Sequence, residues 1–152
     1  MMFRRPIRRT RSGTYQLNLG PGERGLLAAL APQLRDLLSD PDQPGLRRLF
    51  PPAYGDEGDA EYEEEYRRFM HDDLVARHEA ALDVLAETAN ANELDAEQME
   101  TWMRALNQLR LVLGTRLDVT EDDDFTNTED PDRQVYYLLG YLQECVVEAL
   151  SS

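Results

Sequence analysis

The amino-acid sequence predicts a mainly α-helical protein, a compact bundle of about four helices with a small N-terminal β-strand or hairpin. Apolar residues recur at three- and four-residue spacings through most of the chain, whereas strict alternation of apolar and polar residues is confined to one short segment near the start. A chain of 152 residues has the usual length of one domain. We therefore expect a basic N-terminal arm at residues 1–13 and a single helical domain at residues 14–152, with a proline- and glycine-rich loop at residues 40–58.

The alternating segment lies at residues 14–19, where three apolar side chains share one face. This pattern predicts a strand that could pair with part of the arm. The two glycines and the proline of residues 20–22 end the strand, and the leucine-rich segment at residues 23–38 predicts the first helix. Because Pro32 lies inside that segment, we expect either a kink or two shorter helices.

Three further helices follow the loop. The second helix is predicted over residues 59–88. The third begins after Asp95, which is followed three residues later by Gln98, the spacing of a capping box. Asp130 is placed to cap the last helix, with Pro131 in its first position.

The spacing of apolar residues also predicts which side chains face the core. The expected core residues are Tyr62, Tyr66, Phe69, Met70, Leu74, Ala81, Leu82 and Leu85 in the second helix, Met99, Trp102, Met103, Leu106, Leu109 and Leu113 in the third, and Val135, Leu138, Leu139, Leu142, Cys145, Val146 and Ala149 in the last. Gly114 is placed to cap the C terminus of the third helix. Residues 115–119 have an extended pattern that could pair with the first strand, and residues 120–130 are predicted to form an acidic loop.

Charge is unevenly distributed along the chain. The 16 basic residues, all arginines, stand against 30 acidic residues, for a net charge of −14. Five arginines lie in the first eleven residues with no acid among them, so the rest of the chain holds 11 arginines and 30 acids, or −19. Such an acidic body disfavours generic binding to nucleic acid or anionic membrane. The arm is a candidate for nucleic-acid contact or, alternatively, a solvated edge strand; its arginines are Arg4, Arg5, Arg8, Arg9 and Arg11.

Cys145 is the only cysteine, so no intramolecular disulfide can form and nothing indicates an oxidising compartment. Its place on the apolar face of the last helix favours a small buried hydrophobe over a redox-active thiol. The neighbouring Glu144 and Glu148 are expected to raise the pKa of the thiol and to lower its reactivity. Cys145 is nevertheless the one candidate redox thiol of the chain.

No pattern in the sequence predicts an enzyme active site, a metal centre or a cofactor site. His71 and His78 lie seven residues apart on one helix, about 10 Å of rise, which one metal ion does not bridge. A calcium loop started at Asp122 would place Asn127 where glycine is required and Arg133 where the closing glutamate is required. We therefore expect a non-catalytic cytoplasmic protein without a bound metal or cofactor.

Several segments of the sequence resemble a known family. They are the Glu23-Arg24 pair before the leucine-rich helix and residues 66–74, 102–107 and 110–117, together with the last helix. They are similar to an actinobacterial family catalogued as a domain of unknown function, and the resemblance covers nearly the whole chain, residues 14–150. Some members of that family are described as redox-responsive transcriptional regulators of oxidative stress, the AosR-like group.

The resemblance implies a cytoplasmic protein that contacts a stress sigma factor and affects cysteine-biosynthesis genes. It also implies a second partner, the adaptor of the Clp protease system. In the family, the redox role is tied to a pair of cysteines, which this chain lacks because Cys145 is alone. Any redox response here would have to be intermolecular or a capping of the thiol.

Two classes of function stay open on the sequence. The first is a transcription-associated, stress-linked regulatory protein that acts through contact with a sigma factor or RNA polymerase, with the arginine arm making only a weak contact to DNA. The second is a non-catalytic adaptor whose acidic helical face binds a basic partner, for example in the Clp protease system. We favour the first class, because both the resemblance and the split charge of the chain point to it.

Overall fold

The computed structural model describes residues 5–39, 46, 60–117 and 130–151, and it confirms the predicted fold class. Four helices carry most of the described chain, and a small antiparallel sheet lies at the N-terminal end. The elements in chain order are β1 (Ile7–Arg9), β2 (Tyr15–Leu17), α1 (Pro21–Leu37), α2 (Ala60–Thr88), β3 (Glu93–Leu94), α3 (Ala96–Arg116) and α4 (Pro131–Leu150).

The sheet has the order β1-β2-β3, with both pairs antiparallel. Ile7 lies opposite Leu17, and Tyr15 lies opposite Leu94, so the four side chains reach the core together. The predicted pairing of the first strand with part of the arm is therefore confirmed. The two-residue β3 was not predicted, because two residues are too few to show a period.

Arg24, of the Glu23-Arg24 pair, forms hydrogen bonds that link the sheet to the end of α2. Its half-buried guanidinium donates four hydrogen bonds to main-chain carbonyls, which belong to Leu17 (3.0 Å), Leu19 (3.0 Å), Ala89 (3.2 Å) and Ala91 (2.5 Å). The first two carbonyls belong to β2 and the residues after it, and the last two follow the end of α2. Arg24 thus supplies hydrogen-bond donors to main-chain carbonyls in two segments, one at and after β2 and one after α2. Without it, these carbonyls would lose their protein donor.

Helix α1 begins after Gly20, whose amide donates to the Glu23 carboxylate at 3.2 Å, and it carries Pro21 in the first turn. The helix continues through Pro32 to Leu37, so the expectation of two shorter helices is wrong. Pro32 is exposed, while Leu27 and Leu34 are buried on the opposite side. Burial of that face offsets the hydrogen bond that the proline cannot donate.

The core is continuous from the sheet through all four helices. Successive helices pack against each other, and α4 also packs on β1. Trp102 is fully buried at the centre, and its indole Nε1 donates to Thr88 Oγ1 at 2.7 Å. The Thr88 hydroxyl in turn donates to the Val84 carbonyl, so every polar atom of this chain of contacts has a partner. Leu46, the one described residue of the predicted 40–58 loop, is also buried; the rest of that loop lies outside the described residues.

Helix caps at α3 and α4 are confirmed at their N termini. Asp95 accepts from the Gln98 amide at 2.7 Å and the Gln98 side chain accepts from the Asp95 amide at 2.9 Å, which is a capping box. Asp130 accepts from the Asp132 amide at 3.0 Å, and Pro131 takes the first helical position. Both signals act through neighbours in the sequence, so they were visible without the fold.

The end of α3 corrects two predictions. Gly114 does not cap the helix, which continues to Arg116, and residues 115 and 116 are helical rather than extended. Gly114 is buried instead, and a Cβ there would lie 3.0 Å from Cε2 of Tyr136 on α4. The glycine is needed for close approach of two helices, not for a turn. Residues 118–129, including most of the predicted acidic loop, lie outside the described residues.

The predicted core face of α2 is only half correct. Ala81, Leu82 and Leu85 are buried, but Tyr66, Phe69 and Met70 are exposed by 57%, 69% and 41% of their surface. Phe69 precedes Leu85 by sixteen residues, which turns it roughly 160° around the helix from the buried face. Three- and four-residue steps can drift around a helix in either direction, so the spacing alone did not reveal this change of face.

Candidate functional site

The structure brings together two features that the sequence suggested separately, the arginine arm and Cys145. A cavity of about 130 Å3 lies between β1 and α4. Residues 5–9 line one side, and Tyr141, Cys145 and Glu148 line the other. The sequence could not predict that residues 5–9 and the Cys145 region line one cavity. About 140 residues separate the two segments, and they are brought together by the packing of α4 on β1.

The described part of the arm is integrated into the fold. Ile7 is 3% exposed and anchors β1 in the core, whereas Arg8, Arg9 and Arg11 are exposed. Arg8 donates to the side chain of Gln16 on β2 at 2.7 Å. Arg5 reaches Glu148 on α4 at 3.9 Å, a solvent-exposed ion pair that contributes little to stability. Arg4 lies outside the described residues.

The thiol of Cys145 is half-buried at the edge of the core, less deeply than the sequence predicted. Burial raises its pKa, and the carboxylates of Glu148, Glu144 and Glu23 raise it further. The hydroxyl of Tyr141, one turn earlier, forms a hydrogen bond with the sulfur that acts in the opposite direction without cancelling the rise. Cys145 is thus a protonated thiol at neutral pH and a weak nucleophile, in spite of the arginines across the cavity.

The two histidines, His71 and His78, both lie on α2, and each is partly buried. Over residues 5–39, 46, 60–117 and 130–151, no group of three or more histidine, cysteine or acidic side chains is arranged to hold a metal ion. Four glutamates lie close together at the start of α2. Glu64 and Glu65 are exposed, and the side chains of Glu61 and Glu63 are not among those that the structure describes. The acidic residues Asp122, Asp123 and Asp124 fall in the undescribed segment as well.

The second candidate site is the exposed part of α2, which sequence reasoning had placed in the core. We call Tyr66, Phe69 and Met70 the α2 apolar strip. The three side chains lie within about one helical turn, and all three are exposed. Large apolar side chains clustered on a surface mark a region that another molecule covers, whereas single exposed ones do not.

Charged side chains border the α2 apolar strip. Glu64 accepts from Arg68 at 2.9 Å, and Asp73 pairs with Arg77, both across one helical turn. Glu65 is exposed and precedes Phe69 by one turn; Asp72 is exposed and follows it by one turn. Neither of these two carboxylates has an ion-pair partner among the described residues.

Comparison with known proteins identifies the family. The model of a domain family of unknown function, DUF2017, matches residues 4–150. This chain belongs to the DUF2017 family. No curated protein and no solved structure matches the chain.

The described part of this DUF2017 protein has two candidate sites, the cavity between β1 and α4 and the α2 apolar strip. The cavity at Cys145 is lined by a half-buried thiol whose pKa is raised, by Tyr141 and by the Arg5–Glu148 ion pair. None of the described helices is long and apolar enough to cross a membrane. Phe69 in the α2 apolar strip is 69% exposed, more than any other large apolar side chain of the described residues, and the strip is therefore the stronger candidate site.

Proposed function

We propose that this protein is a non-catalytic regulatory protein that acts through protein–protein contact, and that the α2 apolar strip is its contact surface. The exposure of Phe69, 69% of its surface on the outer side of a helix, is the observation that carries the proposal. Burying a large apolar side chain contributes about 1.5–3 kcal/mol. Aromatic residues surrounded by polar ones are the usual centres of binding energy in protein interfaces.

The contact belongs, in this proposal, to transcription. The sequence segments that resemble the family, some of whose members are AosR-like regulators, include residues 66–74, which contain the strip. The partner is then a sigma factor or RNA polymerase, the response is linked to oxidative stress, and the protein works in the cytoplasm. With a net charge of −14, contact with protein is favoured over contact with DNA.

The experiment is a pull-down of the tagged full-length chain from its native cells, read by mass spectrometry, with a matched pair of variants. Tyr66 on α2 and Tyr137 on α4 are each 57% exposed, so Tyr66→Ala and Tyr137→Ala remove the same side chain from two different surfaces. We combine Tyr66→Ala with Phe69→Ala to empty the strip. Recovery of a sigma factor or polymerase subunit that is lost in the strip variant and kept in Tyr137→Ala supports the proposal.

Two outcomes would contradict it. Recovery of the adaptor of the Clp protease system without any polymerase component would move the protein to the adaptor class. Equal recovery of the same partner by the wild-type chain and the strip variant would remove α2 from the interface. Circular dichroism of both variants checks that the helical content is unchanged.

A further inference from the structure

We infer that the α2 apolar strip binds a cationic amphipathic helix of the partner, one that carries two basic residues seven positions apart with an apolar residue between them. The inference rests on the proposed function, since it names the chemistry of the partner at the same surface. It comes from the position of two unpaired carboxylates relative to Phe69.

Glu65 and Asp72 lie one turn before and one turn after Phe69 on the same side of α2. Seven residues of α-helix separate them, a rise of about 10 Å. The nearby acids Glu64 and Asp73 are already paired within the helix, to Arg68 and Arg77. Glu65 and Asp72, in contrast, have no ion-pair partner among the described residues, so both carboxylates can pair with a partner's cations.

The shape of the surface favours a helix as the occupant. Tyr66, Phe69 and Met70 are exposed along one turn of a long helix, so the partner segment meets the side of a helix. A second helix lying alongside at 8–10 Å would present residues at positions i and i+7 with the same rise of about 10 Å. Those two positions fall opposite Glu65 and Asp72, and the apolar residue between them falls opposite Phe69.

Arginine is the better basic residue for these positions. Its guanidinium pairs with a carboxylate through two parallel hydrogen bonds, and its plane also stacks on an aromatic ring. Glu65 and Asp72 each lie within one turn of an exposed aromatic side chain, Tyr66 or Phe69, so both interactions are available at once. Lysine would make the ion pair without the stacking.

Electrostatics disfavours a second copy of this chain as the occupant. In a parallel pair of α2 helices, each carboxylate would face its own counterpart. In an antiparallel pair centred on the strip, Glu65 of one copy would face Asp72 of the other. Both arrangements place like charges across an apolar contact, which is unfavourable.

The test uses the full-length chain and two synthetic helical peptides of identical composition, followed by fluorescence anisotropy. One peptide has arginines seven residues apart around a central leucine, and the other has them on the opposite face from the leucine. We expect the first peptide to bind at least tenfold more tightly, with an affinity that falls as salt rises. Equal binding of the two peptides would overturn the inference, because it would reflect only the net charge of the protein.

Variants of the protein separate local from general electrostatics. The double variant Glu65→Gln, Asp72→Gln should weaken the first peptide about tenfold, since two exposed ion pairs are lost. The control Glu97→Gln, Glu100→Gln removes the same charge from two exposed positions on α3 and should change the affinity less than twofold. Equal loss in the two double variants would contradict the inference.

The native partner distinguishes failure of this inference from failure of the proposed function. A partner that is lost on Tyr66→Ala, Phe69→Ala but kept on Glu65→Gln, Asp72→Gln would preserve the contact surface and overturn the cationic helix. A partner kept by both double variants would overturn the surface itself. A partner lost on both, with the control on α3 unaffected, is the result that we expect.

Discussion

The two halves of α2 contain the same kinds of residue in opposite settings. In the C-terminal half, Leu82 and Leu85 are at most 1% exposed and pack against α1 and α3. In the N-terminal half of the same helix, Tyr66 and Phe69 are more than half exposed. Tyr66 and Phe69 therefore contribute little to the packing of the bundle, whereas Leu82 and Leu85 form part of its core.

The most direct test of this difference shortens one large apolar side chain to alanine in each half of α2 and compares the loss of stability. Leu85→Ala should lower the free energy of unfolding by about 3 kcal/mol, because it leaves a cavity in a fully packed core. Phe69→Ala should change it by less than about 0.5 kcal/mol, since the side chain packs on little. Urea unfolding followed by circular dichroism measures both. A similar loss in the two variants would mean that the N-terminal half is packed after all.

The next largest effect concerns what holds the C-terminal half of α2 in place. Arg24→Ala should cost about 2–3 kcal/mol, because four main-chain carbonyls lose their donor at once. Arg24→Lys should recover only part of this, since an ammonium cannot reach β2 and the end of α2 together. If Arg24→Lys proved as stable as the wild-type protein, the fork geometry would be irrelevant and charge alone would suffice.

A smaller effect on stability is expected at two glycines, one in tight contact with a neighbouring helix and one with room for a side chain. Gly114→Ala should destabilise by about 1 kcal/mol, because the new Cβ would meet Tyr136 at 3.0 Å. Gly140→Ala should instead stabilise by up to about 1 kcal/mol, since its Cβ would make an ordinary 3.5 Å contact with Arg110 and alanine is the better helix former. Thermal unfolding of the two variants checks the opposite signs, and a gain at Gly114 would show that the helices can separate.

The smallest effect is chemical and concerns the cavity between β1 and α4. Because burial and nearby carboxylates raise the pKa of Cys145, alkylation of the native thiol should be slow at neutral pH and should accelerate as pH rises towards that raised pKa. Tyr141→Phe removes the hydrogen bond that lowers this pKa, so the rate at a given alkaline pH should fall. Rates followed by mass spectrometry would contradict the account if the native thiol reacted at neutral pH as fast as the unfolded one.

Features that depend on neighbours in the sequence were predictable, and features that depend on tertiary approach were not. The capping residues Asp95 and Asp130 and the core face of α4 followed from local spacing. Gly114 looked like a helix end because glycine is common there, but its role is set by Tyr136, a residue on another helix. Strand β3 was too short to leave a pattern.

The candidate sites show the same division. Cys145 and the arginines of the arm were recognisable as candidates by residue type, and Cys145, Arg5, Arg8 and Arg9 line one cavity in the fold. The α2 apolar strip was not predictable in the same way, because Phe69 satisfies a helical spacing while lying outside the buried face of α2. A helical wheel anchored on Leu85, the centre of the buried face, would have revealed the drift.

The central claim is that Phe69 and its neighbours bind a partner, and the dissociation constant of the purified complex tests it most directly. With the partner recovered from cells, Phe69→Ala should raise the Kd at least tenfold, about 1.4 kcal/mol, while Tyr137→Ala should leave it within about twofold of the wild-type value. A Kd unchanged by Phe69→Ala, or raised as much by Tyr137→Ala, would contradict the account.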